Sequence, residues 1–198
     1  MDRSVVDVRG QRSFAELLAD RKGQLEASRY PAQVAAIVGA MVHAFRSGKK
    51  VLWFGNGGSA ADAQHLAAEF SGRFLRERGG LPSEALSVNS SAVTAISNDF
   101  GYEQLFARMI DALAQAGDVA VGITTSGTSP NIVRALEAAK ARGCVTVAFT
   151  GNGGGKVAEI ADHSLVGPDG YSAIVQEVHI VMGHIICDLV EQALIFEK

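Results

Sequence analysis

The sequence predicts an α/β fold in which helices cover both faces of a parallel sheet. Five short apolar runs are continuous rather than alternating, and each ends at a cluster of glycine, serine, asparagine or proline. Most of these runs are followed by a segment whose apolar residues recur at helical spacing. Strands buried on both faces have continuous apolar sequences, and alternation of strands with helices is typical of parallel sheets. The 198 residues are enough for one such domain with an added helical element.

The N-terminal part and the C-terminal part are both expected to be helical. From about Phe14 to Arg46 the apolar residues recur at helical spacing, and Pro31 interrupts this pattern. Because proline is best tolerated in the first turn of a helix, we expect two helices here. The predicted strands follow at residues 51–54, 85–88, 119–123, 145–149 and 164–166. From about Ala173 to Ile195 the spacing is helical again, which predicts one long C-terminal helix.

Composition and charge argue against several classes of function. A formal net charge of −3, without any run of lysine and arginine, gives no reason to expect nucleic-acid binding. Cys144 and Cys187 lie in apolar runs without a Cys-x-x-Cys partner, so we expect buried thiols in a reducing compartment. The first residues lack the apolar region of a secretory signal, and no stretch approaches the roughly 20 uncharged residues of a membrane span. The sequence therefore predicts a cytoplasmic protein with neither a membrane nor a nucleic acid as partner.

Two loops after predicted strands have the composition of an anion-binding site. Ligands of open parallel sheets bind beyond the carboxyl ends of the strands. After the first strand, the segment from Gly55 to Ser59 has three glycines that permit a close backbone approach, and we expect Ser59 to cap the next helix. After the third strand, the segment from Thr124 to Ser129 has five hydroxyl residues in six positions, with Ser129 as helix cap and Pro130 in the first turn. Hydroxyl groups and helix-terminal N–H groups, without a lysine, suit a phosphate that is bound by hydrogen bonds. The alternative interpretations are a tight strand-to-helix turn for the first loop and a Ser/Thr-rich surface turn for the second.

A third loop, from Gly151 to Lys156, is also rich in glycine. It lacks hydroxyl residues, which the second loop has in abundance. We therefore expect it to be a flexible turn outside the site.

Candidate metal ligands occur on two predicted helices. His65 and Glu69 are four residues apart, share a helix face and can bind one divalent ion, although a solvated face is the alternative interpretation. The last helix offers four further candidates: Gln176, Glu177, His179 and His184. Glu177 and His184 are seven residues apart and align well, whereas Gln176 and His184 diverge by about 80° around the helix. Helix geometry alone therefore favours Glu177 as the partner of His184.

Taken together, these motifs resemble the phosphoheptose isomerases, which are built on the sugar-isomerase (SIS) domain. The resemblance runs from about residue 12 to residue 195. The residues that carry it are the first loop with Asp62, His65 and Glu69, then Asn98-Asp99-Phe100-Gly101, Thr125-Ser126-Gly127-x-Ser129, and Gln176-Glu177-x-His179 with His184. It implies a flavodoxin-like αβα sandwich with a five-stranded parallel sheet in residues 49–198. It also implies that residues 1–48 form N-terminal helices that pack on this domain and on the oligomer, a homotetramer with active sites at subunit interfaces.

The resemblance further implies a reaction and a set of site residues. The expected reaction is metal-assisted isomerisation of sedoheptulose 7-phosphate to D-glycero-D-manno-heptose 7-phosphate through an enediol, the first step of nucleotide-activated heptose biosynthesis. One Zn²⁺ per subunit is expected on His65, Glu69, Gln176 and His184, so the resemblance replaces Glu177 by Gln176. Glu69 and His184 are expected to be the catalytic acid and base. The expected substrate-binding residues are Asn56, Gly57, Gly58, Ser59, Glu69, Asn98, Asp99, Thr124, Thr125, Ser126, Ser129 and Gln176.

The chain departs from many family members just before Gln176, and two other interpretations stay open. Where those members have an aspartate and an arginine, this chain has Ala173 and Ile174, which leaves the stereochemistry of the sugar open. Non-catalytic SIS regulators that bind the replication initiator DnaA resemble the chain over the sheet, but they lack the catalytic carboxylate and imidazole that Glu69 and His184 supply here. Another SIS enzyme, such as an arabinose-phosphate isomerase or a sugar-phosphate lyase, is the third interpretation.

Overall fold

Helices and strands alternate along residues 13–196, the part of the chain that the computed structural model describes. The helices are α1 (Phe14–Leu25), α2 (Tyr30–Arg46), α3 (Gly58–Ser71), α4 (Ser90–Phe100), α5 (Leu105–Leu113), α6 (Pro130–Ala141), α7 (Gly155–Ile160) and α8 (Ser172–Phe196). The strands are β1 (Val51–Gly55), β2 (Ser83–Ala85), β3 (Val119–Thr124), β4 (Val145–Thr150) and β5 (His163–Val166), and a 3₁₀ turn at Tyr102–Gln104 precedes α5. The expectation about a secretory signal concerns the first twelve residues and lies outside the described part.

The five strands form one parallel sheet in the order β2-β1-β3-β4-β5. Val51 of β1 pairs with Ser83 of β2 on one side and with Val119 of β3 on the other, and Val119 pairs with Val145 of β4. This is the flavodoxin-like order, in which ligands bind where successive connections run to opposite sides of the first strand. The predicted five-stranded parallel α/β fold is confirmed. The carboxyl ends of β1 and β3 are neighbours at this point.

Two apolar cores flank the sheet because successive side chains of a strand point to opposite faces. Val51 and Trp53 pack into one core with α2, α3 and α8. Leu52 and Phe54 pack into the other core with α5 and α6. All four side chains are at most 1% exposed, which explains why the sequence of β1 is continuously apolar.

The second strand is the one element that the apolar pattern placed incorrectly. It was expected at residues 85–88 and lies at Ser83–Ala85. The backbone N–H of Leu86 still donates to Trp53 O at 2.8 Å, but the N–H of Val88 turns back to Ala85 O, and Val88 is 53% exposed. Because β2 is an edge strand, it does not need the continuous apolar sequence of a central strand, so the apolar run marks its end rather than its middle.

Helix α8 is the one helix among residues 13–196 that is long and apolar enough to cross a membrane by length and composition. In the fold it packs against α2 and α3, and Val178, Ile186 and Val190 are buried in the core that these helices share. Its Glu191 is fully buried in an ion pair with Arg78. The apolar composition of α8 is therefore that of a core helix.

Candidate functional site

The loop between β1 and α3 makes a tight turn at Gly57, whose φ of 55° is in the left-handed region that favours glycine. Helix α3 therefore begins at Gly58 with Gly57 as its N-cap residue, and the prediction that Ser59 caps the helix is wrong. Ser59 lies instead inside the first turn and is only 3% exposed. Its hydroxyl faces α8, where Gln176 Nε2 is 3.5 Å away.

The loop between β3 and α6 gathers hydroxyl groups at the adjacent strand end. Ser129 occupies the N-cap position and Pro130 the first turn, as predicted, but the Ser129 side chain makes no capping hydrogen bond. Its Oγ lies 2.9 Å from Thr124 Oγ1, which is also 3.3 Å from Ser126 Oγ. The start of α6 thus has no side-chain cap among the described residues, which suits an anion at this helix end.

The two loops and the start of α8 enclose a small polar cavity of about 140 Å³. Its lining residues are Asn56, Ser59, Ile123, Thr124, Thr125, Ser129, Ser172 and Gln176. Ser172 was not expected at the site, and its Oγ lies 2.9 Å from Thr125 Oγ1. A hydroxyl residue at the start of the last helix was the only sequence signal for it. The cavity has neither a lysine nor an arginine in its lining, so an anion there would be held by hydrogen bonds.

The third loop does not line this cavity, but it supports one wall. Asn152, with a φ of 49°, donates through Nδ2 to Thr125 O at 3.1 Å and to Gly170 O at 3.3 Å. Its Oδ1 accepts the backbone N–H of Gly170 at 2.9 Å. The backbones of Gly127 and Gly154 are in direct contact, since a Cβ on Gly127 would overlap Gly154. This loop therefore connects the hydroxyl loop to the segment that leads into α8.

Asn56 is held in place by two residues that sequence analysis missed. Its amide pairs in both directions with that of Asn131, with Nδ2 to Oδ1 distances of 2.9 and 2.8 Å. Tyr102 donates its hydroxyl to Asn56 Oδ1 at 2.8 Å.

Asn98 and Asp99, which are expected to contact substrate, lie outside the cavity and are exposed at the end of α4. Asn98 Nδ2 donates to Asp99 Oδ1 at 2.8 Å. Tyr102 follows this segment directly and so connects it to the first loop.

A second cluster, which we call the His/Glu cluster, consists of His65 and Glu69 on α3 and His184 on α8. The Nε2 atoms of His65 and His184 are 2.8 Å apart, and His65 Nε2 is 3.3 Å from Glu69 Oε1. The ligand atoms of all three residues lie within 4.8 Å of one another. The ring of Phe74 stacks on His184 with centroids 5.5 Å apart. The helices approach closely because position 183 is glycine: a Cβ there would lie 2.7 Å from Leu66.

The donor set of the His/Glu cluster fits a divalent metal ion. Zinc takes imidazole nitrogen and carboxylate oxygen ligands at about 2.0–2.2 Å, so tetrahedral neighbours are about 3.3–3.6 Å apart. The 3.3 Å between His65 Nε2 and Glu69 Oε1 agrees with that spacing, and the two imidazole nitrogens, 2.8 Å apart, need to separate by about 0.5 Å to share an ion. Three protein ligands also leave a coordination position for a fourth ligand or for substrate, as in catalytic zinc sites.

The two candidates at the start of α8 point in different directions. Glu177 is paired with Arg21 of α1, its Oε2 lying 2.5 Å from Arg21 Nε, so the preference for Glu177 from helix geometry is wrong. Gln176 faces the polar cavity and touches Gly58. Eight residues of helix advance about 12 Å, so Gln176 and His184 meet different parts of α3. Within this chain the expected metal ligand Gln176 therefore lies in the polar cavity and not in the His/Glu cluster. The alignment of residues around α8 alone could not reveal which part of α3 each side chain faces.

Two further ionisable side chains belong to the helices of the site. His179 is fully buried with Nε2 2.9 Å from Thr150 O, and burial lowers its pKa to about 4. It is a neutral core residue and does not join the His/Glu cluster. Burial raises the pKa of the Asp62 carboxyl on α3, although His65 nearby lowers it. Asp62 Oδ2 has no hydrogen-bond partner within the described part of the chain.

The chain is similar to known proteins both in sequence and in fold. Residues 17–151 match the SIS domain family. A phosphoheptose isomerase from Aquifex aeolicus (strain VF5) is 50% identical over 163 residues, which cover 82% of this chain and 85% of that protein. A phosphoheptose isomerase from Pelobacter propionicus is 46% identical over 194 residues, 98% of each chain. The solved structure of the phosphoheptose isomerase from Neisseria gonorrhoeae has a TM-score of 0.83 and 39% identity, covering 90% of this chain and 95% of that chain.

Proposed function

Because this chain belongs to the SIS domain family and, within it, to the phosphoheptose isomerases, we propose that it isomerises sedoheptulose 7-phosphate to D-glycero-D-manno-heptose 7-phosphate. The observation that carries the proposal is the convergence of Glu69 and His184, from helices far apart in sequence, in one cluster. The cluster thus contains a carboxylate and an imidazole that can act on neighbouring carbons of a sugar. The hydroxyl-lined cavity at the other end of α3 supplies a place for the phosphate.

The distance between cavity and cluster supports a long sugar phosphate. Ser59 lines the cavity and His65 belongs to the cluster, and six residues of helix separate them by about 9 Å. An extended carbon chain advances about 1.25 Å per bond, so C1 of a seven-carbon 7-phosphate lies about 10 Å from its phosphorus atom. We propose that the phosphate binds the hydroxyls of Thr124, Thr125 and Ser129 while C1 and C2 lie at the cluster.

The chemistry requires proton transfer at two carbons and two oxygens. Glu69 removes the proton from C1, and the C–H electrons form the C1–C2 double bond of the enediol while the C2 carbonyl oxygen gains a proton. Return of the proton to C2, with loss of the proton on O1, gives the aldose. His184 carries the proton between the two oxygens, and Asn56 and Ser59 hold the sugar chain. A divalent ion held by His65, Glu69 and His184 would supply electrostatic stabilisation of the negative charge that develops on these oxygens.

We propose one Zn²⁺ per subunit on His65, Glu69 and His184, and a cytoplasmic homotetramer with active sites at subunit interfaces. Exposed apolar side chains on α1 and α8 support assembly, since Phe14 is 77%, Ile185 42% and Leu189 38% exposed. The reaction would begin the synthesis of nucleotide-activated heptose. Its substrate is a small sugar phosphate, with no nucleic acid or membrane as partner.

The decisive experiment is incubation with sedoheptulose 7-phosphate, with and without a chelator, followed by NMR. We expect new anomeric signals of an aldose heptose 7-phosphate, and we expect the chelator to remove or sharply reduce their formation. A parallel panel with arabinose 5-phosphate and hexose 6-phosphates tests the substrate class. Absence of conversion by folded, zinc-loaded protein would refute the proposal, and preference for the pentose phosphate would assign a different SIS enzyme.

A further inference from the structure

Glu191 of α8 is a fully buried carboxylate with a complete set of hydrogen-bond donors. It accepts the backbone N–H groups of Phe74, Leu75 and Arg76 at 2.8, 2.9 and 3.0 Å. Its Oε1 also accepts Arg78 Nε at 2.9 Å. One side chain of α8 therefore holds residues 74–78 of the loop that follows α3.

Arg78 uses the rest of its guanidinium group to hold the end of α3. Its Nη2 donates to the backbone carbonyl of Glu69 at 2.7 Å. Its Nη1 donates to the carbonyls of Phe70 and Gly72 at 2.8 and 3.1 Å. The last carbonyls of a helix have no partner within the helix, so Arg78 caps the turn that carries Glu69.

We infer that Arg78 and Glu191 are positioning residues for the His/Glu cluster. The pair ties three elements together: the turn with Glu69, the loop with Phe74, and α8 with His184. Phe74 in turn stacks on the His184 ring. Neither charged group belongs to the cluster, so they act through the backbone of Glu69 and the ring of Phe74. The inference rests on the proposed function only for the chemical roles of Glu69 and His184.

The type of side chain at these positions supports positioning rather than packing. A buried ion pair is a weak source of stability, and well-packed apolar residues often replace one without loss. Apolar residues could not, however, satisfy the three N–H groups that Glu191 accepts and the four carbonyls to which Arg78 donates. Arginine also provides a planar fork of donors that lysine lacks. The pair therefore fixes the relative placement of two helices where a small shift would separate the cluster.

A second buried ion pair in the same chain provides a matched control. Asp118 is 1% exposed and accepts Lys50 Nζ at 2.6 Å, together with the backbone N–H groups of Lys50 and Gln115 at 3.1 and 2.8 Å. It lies at the start of β3, whereas the polar cavity lies at the carboxyl ends of the strands. Asp118→Asn therefore disturbs a similar network at the opposite edge of the sheet from that cavity.

The test compares Glu191→Gln and Arg78→Lys with Asp118→Asn in the full chain. Thermal unfolding gives stability, titration with Co²⁺ followed by its visible absorption gives metal affinity, and kcat and KM are measured with sedoheptulose 7-phosphate. We expect Glu191→Gln and Arg78→Lys to weaken Co²⁺ binding and to lower kcat by about 10-fold or more each, with KM within about 2-fold. We expect Asp118→Asn to change the Co²⁺ affinity and kcat by no more than about 2-fold each, even if its unfolding temperature falls as much as that of the other two variants.

Either of two results would overturn the inference. One is that Co²⁺ affinity and kcat are unchanged in both Glu191→Gln and Arg78→Lys. The other is an equal loss of kcat in Asp118→Asn when all proteins are compared well below their unfolding temperatures. If Glu191→Gln does not fold, the milder Arg78→Lys carries the comparison. A wild-type protein that binds Co²⁺ but converts no sugar phosphate would refute the proposed function, while the Co²⁺ titrations would still decide the positioning role.

Discussion

The side-chain amide of Gln176 lies directly against the backbone of Gly58. A Cβ on Gly58 would come within 2.6 Å of Gln176 Nε2 and 2.8 Å of its Oε1. Glycine at this position therefore makes the space in which the Gln176 amide lies beside Ser59. Any larger residue has to displace the amide from the polar cavity.

Gly58→Ala should lower kcat/KM by about 10-fold or more while changing the free energy of unfolding by less than about 1 kcal/mol. The added methyl displaces the amide, whereas alanine in a helix is otherwise favourable. Steady-state kinetics and urea unfolding measure the two effects. Gly39→Ala in α2 is the matched control, because no atom lies within 4 Å of a Cβ there. If Gly58→Ala had wild-type kinetics, the position of the Gln176 amide in the polar cavity would not be needed for activity.

Glu69→Gln and His184→Gln should each lower kcat by at least about 100-fold, because each removes a group that transfers a proton. Both substitutions keep the size of the side chain approximately, so unfolding of the metal-free proteins should change little. Glu77→Gln serves as control, since Glu77 is exposed in the loop after α3 and pairs only with Arg73 among the described residues. Exchange of the C1 proton with deuterated water, followed by NMR, separates the roles. Loss of exchange is expected for Glu69→Gln, and near-normal turnover in either variant would contradict its assignment.

Asn131→Ala and Tyr102→Phe should raise KM several-fold, because each removes a hydrogen bond that orients the Asn56 amide. Asn131 is 2% exposed, so its loss should also cost about 1–3 kcal/mol of stability. Tyr102 is 51% exposed, and Tyr102→Phe should cost less than about 1 kcal/mol. The two variants thus have similar kinetic effects and different unfolding curves. If KM stayed at the wild-type value in both, Asn56 would not need this support.

The sheet and the loops at its strand ends could be predicted because their signals are local. Burial on both faces makes β1 and β3 continuously apolar, and ligand-binding turns concentrate glycine and hydroxyl residues in a few positions. The cap at Ser59 was predicted wrongly, since Gly57 takes a left-handed φ and starts the helix earlier. The edge strand β2 begins two residues and ends three residues before its predicted bounds, because the apolar run extends beyond its end.

Residues that act through distant partners could not be predicted. Asn131 lies 75 residues from Asn56, and Glu191 lies 113 residues from Arg78, so neither pair leaves a local pattern. Nothing in the sequence around Glu191 distinguishes this buried carboxylate from a charged residue on the surface. The preference for Glu177 failed for a related reason, because alignment around one helix says nothing about which neighbour each turn meets.

His179 should make the protein sensitive to mild acid. In the folded protein burial lowers its pKa to about 4, compared with an ordinary value of 6.5. Between these values the unfolded chain binds a proton that the folded protein does not. The free energy of unfolding therefore falls as the pH falls from about 6.5 to about 4, by up to about 3 kcal/mol. Glu191 acts only at lower pH: burial opposes its ionisation, but the backbone donors and Arg78 hold its pKa below 4.5.

His179→Gln should remove most of the loss of stability between pH 6.5 and pH 4.5, because glutamine can still donate to Thr150 O but binds no proton. Urea unfolding at pH 7, 6, 5 and 4.5 measures the slope. His43→Gln is the matched control, since His43 is exposed on α2 and its replacement should leave the slope unchanged. If His179→Gln and wild type lost stability in parallel over this range, the proton would be bound elsewhere. In that case, the buried contact with Thr150 would contribute packing but no dependence on pH.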